Sequence, residues 1–202
     1  MNTTIKTFRY LAALFVVSAA LLGCEKAGTS AQKFGTVDIT GGSWGANFQL
    51  TDHNGQPRTI ADFKEKAVLL FFGYTNCPDV CPTTMVKLAS VMEKLGKDAE
   101  RVQVLMVTLD PKRDTPDVLK TYVPSFHPSF LGLLGSEQQV ENTVKEFKVI
   151  RAIQTSDQNG FYTVDHSGGT YAFDPQGRLR LLISDSHSVD LIAQDLKSLL
   201  KT

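Results

Sequence analysis

The chain alternates apolar runs with amphipathic stretches, and their order is informative. Residues 67–73 form a continuous apolar run that reads as a strand buried on both faces, and residues 102–109 form a second, ending at Asp110-Pro111. A shorter run at 130–134 is a third strand candidate. Between the first two, Met85, Leu88, Val91, Met92 and Leu95 recur at helical spacing, with Gly96 as a stop. Thr115-Pro116-Asp117 reads as an N-cap, a first-position proline and a first-turn acid for a helix to about Tyr122, and residues 138–147 are helical in pattern. Upstream, residues 48–51 alternate like a half-buried strand before the turn Asp52-His53-Asn54-Gly55, and residues 60–63 read as one helical turn. Downstream, residues 149–154 and 161–164 look extended. Residues 170–173 and 179–183 flank Asp174-Pro175-Gln176-Gly177 as a hairpin. Leu191, Leu196, Leu199 and Leu200 mark a closing helix.

This order predicts an α/β sandwich whose early strands are parallel and whose terminal hairpin is antiparallel. The length of 202 residues suits one domain plus a targeting or linker segment, and no internal repeat or low-complexity tract interrupts it. Lys+Arg and Asp+Glu are both 21, so the balance offers no electrostatic case for nucleic acid. Three cysteines are too few for a disulfide-stapled domain, and a chain of this length does not need one.

Ahead of the domain, Lys6 and Arg9 precede an apolar stretch at 10–22, shorter than the roughly 20 residues a membrane span needs and of signal-peptide length. It ends Leu21-Leu22-Gly23-Cys24, which resembles a bacterial lipobox, with small Gly23 placed before the cysteine as cleavage requires. The expected organisation is a lipoprotein signal peptide at 1–23, a lipid-anchored tether at 24–44 beginning with lipidated Cys24, and one domain at 45–202. An uncleaved signal anchor is the other reading; either puts the domain outside the cytoplasm on a membrane surface. Lipidation of Cys24 leaves Cys77 and Cys81 with only each other.

The chemistry concentrates in Gly73-Tyr74-Thr75-Asn76-Cys77-Pro78-Asp79-Val80-Cys81-Pro82, between the first buried strand and the first long helix. If the segment from Cys77 is helical, both sulfurs face one side. A structural disulfide here would close so short a loop that it removes little chain entropy. A thiol-disulfide oxidoreductase would gain from a thiol at a helix N-terminus, although the charge of Asp79 between the sulfurs should oppose thiolate formation. Two thiolates also suit copper(I), and an added imidazole lets a site hold copper(II). Among the histidines, His53 reads as a solvated turn residue, His127 sits in a Phe-His-Pro loop and His187 belongs to a helix start. His166 lies in Val164-Asp165-His166-Ser167-Gly168-Gly169, directly before the strand at 170–173.

A dithiol opening the first core helix resembles the arrangement of the thioredoxin fold, where the loop holding His166 faces the thiols. The residues Tyr74 to Pro82 just quoted, Leu109-Asp110-Pro111-Lys112-Arg113-Asp114-Thr115-Pro116, and Val164-Asp165-His166-Ser167 together resemble the Sco/SenC family of copper chaperones. The likeness extends over about residues 45–200. It implies a thioredoxin-like fold, with a central mixed sheet flanked by helices, a terminal β-hairpin and a C-terminal helix. It further implies one copper ion, Cu(I) or Cu(II), held by Cys77, Cys81 and His166, received from a periplasmic donor. The partner implied is subunit II of cytochrome c oxidase, or another copper enzyme, together with a thiol reductant for the cysteine pair. The place implied is a membrane surface facing the periplasm or the mitochondrial intermembrane space; the lipobox makes this the bacterial cell envelope, facing the periplasm, with a lipidated Cys24 in place of the transmembrane helix that many family members use. On this reading the protein is a metallochaperone rather than an enzyme, unless the thiols turn over as a disulfide reductase. An extracytoplasmic oxidoreductase and a copper- or redox-responsive signalling module are the alternatives. Thioredoxin-like oxidoreductases usually carry a cis-proline before the strand facing the dithiol. Here Gly168 or Gly169 stands there, which leaves the approach to the sulfurs open for His166. Asp110, Arg113 and Asp114 match the family pattern without an assigned ligand role. A peroxiredoxin reading fits poorly, since Thr75 is two rather than three residues before Cys77 and a second cysteine follows.

Overall fold

The computed structural model describes residues 33–155 and 161–202. The signal peptide, the lipobox with Cys24 and the first part of the tether lie outside the described residues. Among the described residues, ten strands form an eight-stranded mixed sheet and a separate two-stranded ribbon. In chain order the main-sheet strands are β1 (Val37–Asp38), β2 (Leu50–Asp52), β3 (Pro57–Arg58), β4 (Ala67–Gly73), β5 (Val102–Thr108), β6 (Leu131–Leu134), β9 (Thr170–Phe173) and β10 (Leu179–Ile183). The ribbon is β7 (Arg151–Thr155) with β8 (Tyr162–His166). The helices are α1 (Val80–Leu95), α2 (Pro116–Tyr122), α3 (Glu137–Glu146) and α4 (Val189–Leu199).

Across the main sheet the strands run β1-β10-β9-β4-β5-β6-β2-β3. β4, β5 and β6 are parallel; β9 runs antiparallel to β4 and pairs with β10 as the expected hairpin. All seven residues of β4 and all seven of β5 are buried, as a parallel pair covered on both faces requires. Leu69, Leu70, Phe71 and Phe72 are at most 1% exposed, and each fully buried side chain of this size contributes about 1.5–3 kcal/mol. α1 presents Met85, Leu88, Val91, Met92 and Leu95 to this core, packs against α4, and ends at Gly96 with φ +59°, a left-handed cap that glycine adopts without strain. Thr115 caps α2, its hydroxyl accepting from the Val118 N–H at 3.3 Å, with Pro116 at the first position. The architecture is the α/β sandwich that the sequence pattern predicts.

Four expectations are corrected. The sheet begins at β1, within the stretch read as tether, so the folded unit starts before residue 45; the N–H groups of Gly35 and Thr36 and the Thr36 hydroxyl all donate to buried Asp195 on α4, at 2.7–3.0 Å. The segment from Cys77 is not helical, because α1 starts at Val80, after Pro78 and the N-cap Asp79. His53 is not a solvated turn residue: it is 6% exposed, and its Nδ1 accepts the Gly132 N–H at 3.0 Å, tying β2 to β6. The loop expected to hold His166 instead begins after it, since His166 ends strand β8. Among the described residues no helix is long and apolar enough to cross a membrane.

Candidate metal centre

The site forms where β4 ends and α1 begins. Gly73 closes the buried strand, Tyr74 turns the chain, and the Cys77 N–H donates to the Tyr74 carbonyl at 3.3 Å. Three residues later the first helical N–H groups have no partners within the helix. The two thiols therefore meet different surroundings. Cys77 is half-buried in the turn, whereas Cys81, inside the first turn of α1, is fully buried; both are reduced. Gly73 makes room for the latter: a Cβ there would lie 3.0 Å from the Cys81 Sγ and 2.7 Å from a ring carbon of Phe71.

Burial pushes the Cys77 thiol up, but the backbone N–H groups of Asp79, Cys81 and Val80 and the Cys81 thiol outweigh it, and the net result lies below the ordinary thiol value. Asp79, expected to oppose the thiolate through its charge, acts on Cys77 chiefly through its backbone N–H and in the other direction. Burial pushes the Cys81 thiol far up, and its hydrogen bond to Cys77 adds to the shift. Cys77 is thus the thiol available as a thiolate in the metal-free protein, and Cys81 is held neutral behind it.

His166 reaches this pair from 85 residues away in sequence, its Nε2 lying 3.7 Å from the Cys81 Sγ. Its Nδ1 stands 3.1 Å from the Ser167 carbonyl oxygen, which only accepts, so Nδ1 carries the proton. In the neutral ring this leaves the Nε2 lone pair free and turned toward the thiols, the arrangement a metal-ligating imidazole needs. The ring packs edge-on against Phe71 and Tyr74, with centroids 6.5 and 6.4 Å away. After Ser167 the chain passes through Gly168 and Gly169 into β9. Gly169 has φ +121°, where a side chain would be strained.

The other histidines are occupied locally. Nδ1 of His127 lies 2.9 Å from the Ser129 hydroxyl, and Nδ1 of His187 accepts the Ser184 N–H at 3.1 Å. Among the described residues no three His, Cys, Asp or Glu side chains already stand close enough to enclose a metal ion. What the structure brings together is Cys81 with His166, and Cys77 with Cys81. Approach of the Cys77 thiol and the imidazole to each other would join the two contacts around one ion. Two thiolates and an imidazole are a soft set that fits copper better than magnesium or calcium.

Sequence reasoning assigned no role to the residues that hold these elements. Buried Asp114 accepts from the Thr108 hydroxyl at 2.6 Å, the Thr75 hydroxyl at 2.5 Å and the Thr75 N–H at 3.1 Å, so it moors the loop before Cys77. Burial pushes its carboxyl up despite these donors. Arg151, opposite His166 in the β7–β8 ladder, donates to the Leu109 carbonyl at 2.8 Å and to Glu137 and Glu141 on α3. The Tyr122 hydroxyl is buried without a hydrogen-bond partner among the described residues and is pushed up to about 12, chiefly by burial. The nearest signal in the sequence was the run Asp110 to Pro116, which the family pattern contains.

The SCO1/SenC family profile matches residues 38–201. A SCO2-like protein of Rickettsia felis is 42% identical over 135 residues, which cover 66% of this chain and 66% of that protein, so the match spans a little under two thirds of its length. The structure of Bradyrhizobium japonicum ScoI with copper bound superposes with a TM-score of 0.71 at 37% identity, covering 77% of this chain and 99% of that one. Apo Sco1 from Thermus thermophilus gives 0.74 at 40% identity, covering 84% and 99%. With its thioredoxin-like fold and the cysteine motif between β4 and α1, this chain belongs to the SCO1/SenC family.

Proposed function

We propose that this chain binds one copper ion as cargo through Cys77, Cys81 and His166. We further propose that it serves the assembly of the dinuclear copper centre in cytochrome c oxidase subunit II, or of another copper enzyme. The observation that carries the reading is the approach of the His166 Nε2 to the Cys81 Sγ at 3.7 Å, made by elements distant in sequence, with the imidazole proton held on the other nitrogen. The copper in the related Bradyrhizobium structure supports the choice of metal. Bound copper would be exchangeable because three ligands from a partly open site leave room for an incoming cysteine or histidine of the acceptor. Lipidation of Cys24 would hold the domain on a membrane of the bacterial envelope, facing the periplasm, where a copper donor and the acceptor meet it.

The different surroundings of the two thiols favour a second activity on the same residues. The Cys77 thiolate would attack a partner's disulfide, forming a mixed disulfide and releasing one partner thiolate. Cys81 would then lose its proton and attack Cys77, releasing the second partner thiolate. The partner gains two electrons and this chain ends with a Cys77–Cys81 disulfide, to be reopened by a thiol reductant. Replacing His166 by Ala separates the two roles. Copper affinity should fall by at least about tenfold, as loss of one of three ligands implies, while disulfide reduction continues. A wild-type protein that reduces disulfides briskly but holds copper no better than His166→Ala would overturn the copper reading.

A further inference from the structure

The thiols and the imidazole sit on different supports, yet both supports are fastened to one short turn. Residues 110–114 close on themselves: the Asp114 and Arg113 N–H groups donate to the Asp110 carbonyl at 2.9 and 3.1 Å, and the Asp110 N–H donates to the Thr108 hydroxyl at 2.9 Å. One side of this turn is Asp114, which holds Thr75, two residues before Cys77. The other side is Asp110 and Arg113, which hold Tyr162 on β8. The Tyr162 hydroxyl donates to Asp110 Oδ1 at 2.7 Å, Arg113 donates to the Tyr162 carbonyl at 3.0 Å, and the guanidinium carbon lies 3.7 Å from the centre of the Tyr162 ring. Arg113 also pairs with Asp110. Tyr162 and His166 are four residues apart on one strand, so they share a face with buried Val164 between them. Both carboxylates are buried, Asp110 at 2% and Asp114 at 0% exposure, so neither arm is a solvated surface pair of little consequence.

We infer that residues 110–114 are a two-armed bracket that sets the distance between the His166 imidazole and the thiols, with Arg113 and Tyr162 as positioning residues for the imidazole. This copper-linked role rests on the ligand assignment proposed above, whereas the mechanical role of the bracket does not. Among the described residues the β7–β8 ribbon makes no ladder with the main sheet, and its attachment includes these contacts, those of Arg151, buried Val164, and the His166 ring against Phe71 and Tyr74. Releasing the Arg113 arm frees the Tyr162 end of the strand that carries His166 and removes the guanidinium from the Tyr74 ring, 5.8 Å away, while the Asp114 hold on Thr75 stays in place.

The test uses the full chain in detergent, reduced and metal-free, and reads amide hydrogen exchange. Arg113→Ala should speed exchange of β7 and β8 by about tenfold or more while β4 and β5 keep their protection. Tyr162→Phe, which loses only the hydroxyl contact, should speed it by about threefold and serves as the deciding variant if Arg113→Ala exposes the core as well. Unchanged exchange in the ribbon for Tyr162→Phe and Arg113→Ala would overturn the bracket. Copper(I) competition then reads the coupling. Arg113→Ala should weaken binding by about tenfold in the wild-type background and by nothing further in a His166→Ala background. Equal losses in both backgrounds would show that Arg113 does not act through His166. If His166→Ala alone leaves copper affinity unchanged, the ligand assignment fails, while the exchange data still judge the bracket.

Discussion

The cysteine side and the histidine side of the site are built by opposite means. The thiols hang from β4 and α1, where every residue of β4 is buried and Cys81 is sealed beneath Gly73. The imidazole hangs from a two-stranded ribbon in which only Val164 is buried among the ten strand residues, and Ile153 is 46% exposed. Hydrophobic burial fixes the first. Hydrogen bonds, a stacked arginine and the Arg151 pairs hold the second. The difference teaches that the two sides of the site are held by separate elements and by different forces.

The largest effect expected from this contrast is on stability. Leu70→Ala in β4 should cost about 2–5 kcal/mol in urea unfolding, as truncating a fully buried leucine does, whereas Ile153→Ala in β7 should stay within about 0.5 kcal/mol. Comparable losses would mean that the ribbon belongs to the cooperative core. Gly73→Ala comes next. Its Cβ meets Phe71 and the Cys81 Sγ, so overpacking should cost about 1–3 kcal/mol and displace the sulfur, visible as weakened copper binding. An unchanged variant would show that the cysteine side is softer than described.

A pH experiment sharpens the comparison from the core side. Burial pushes the His53 imidazole below its ordinary value of 6.5, against the raising influence of Asp52 and alongside the lowering influence of Lys120. The unfolded chain therefore takes up this proton first. Stability from the group is complete above about pH 6.5 and is lost as pH falls below that toward the lower folded value. Urea midpoints at pH 7.5 and 5.5 should differ in the wild type, and the difference should shrink in His53→Gln, which has no titrating ring. The smallest effect is kinetic: in the metal-free protein an alkylating agent at neutral pH should modify Cys77 well before Cys81, read by peptide mass, because Cys77 is half-exposed and its thiol is the more acidic.

Legibility in the sequence followed the same divide. The runs at 67–73 and 102–109 were readable because a strand buried on both faces must be continuously apolar, and the structure places β4 and β5 there. Thr115-Pro116 and Gly96 were readable because caps and stops are local chemistry. The ribbon was seen only as two extended segments. Its docking on the domain uses Arg113, Arg151 and Tyr162, whose partners Tyr162, Leu109 and Asp110 lie 49, 42 and 52 residues away and leave no periodic trace. His53 was misread because its Asn-Gly turn signals exposure, while the backbone of β6 that buries it is 79 residues distant. Cys77 and Cys81 were legible as a pair, but not as a half-exposed thiol backed by a sealed one, since that depends on where α1 begins and on Gly73.

The central claim is that two thiolates from the strand–helix junction and one imidazole from the ribbon meet around one copper ion. Adding Cu(II) to the reduced chain and recording its visible spectrum tests this most directly, because sulfur bound to Cu(II) absorbs intensely where imidazole or carboxylate ligands do not. The account predicts strong sulfur-to-copper absorption saturating at one copper per chain, altered by Cys77→Ala and by Cys81→Ala, and weakened or shifted by His166→Ala. A wild-type chain that stays colourless with Cu(II) bound, or a spectrum indifferent to all three substitutions, would contradict it.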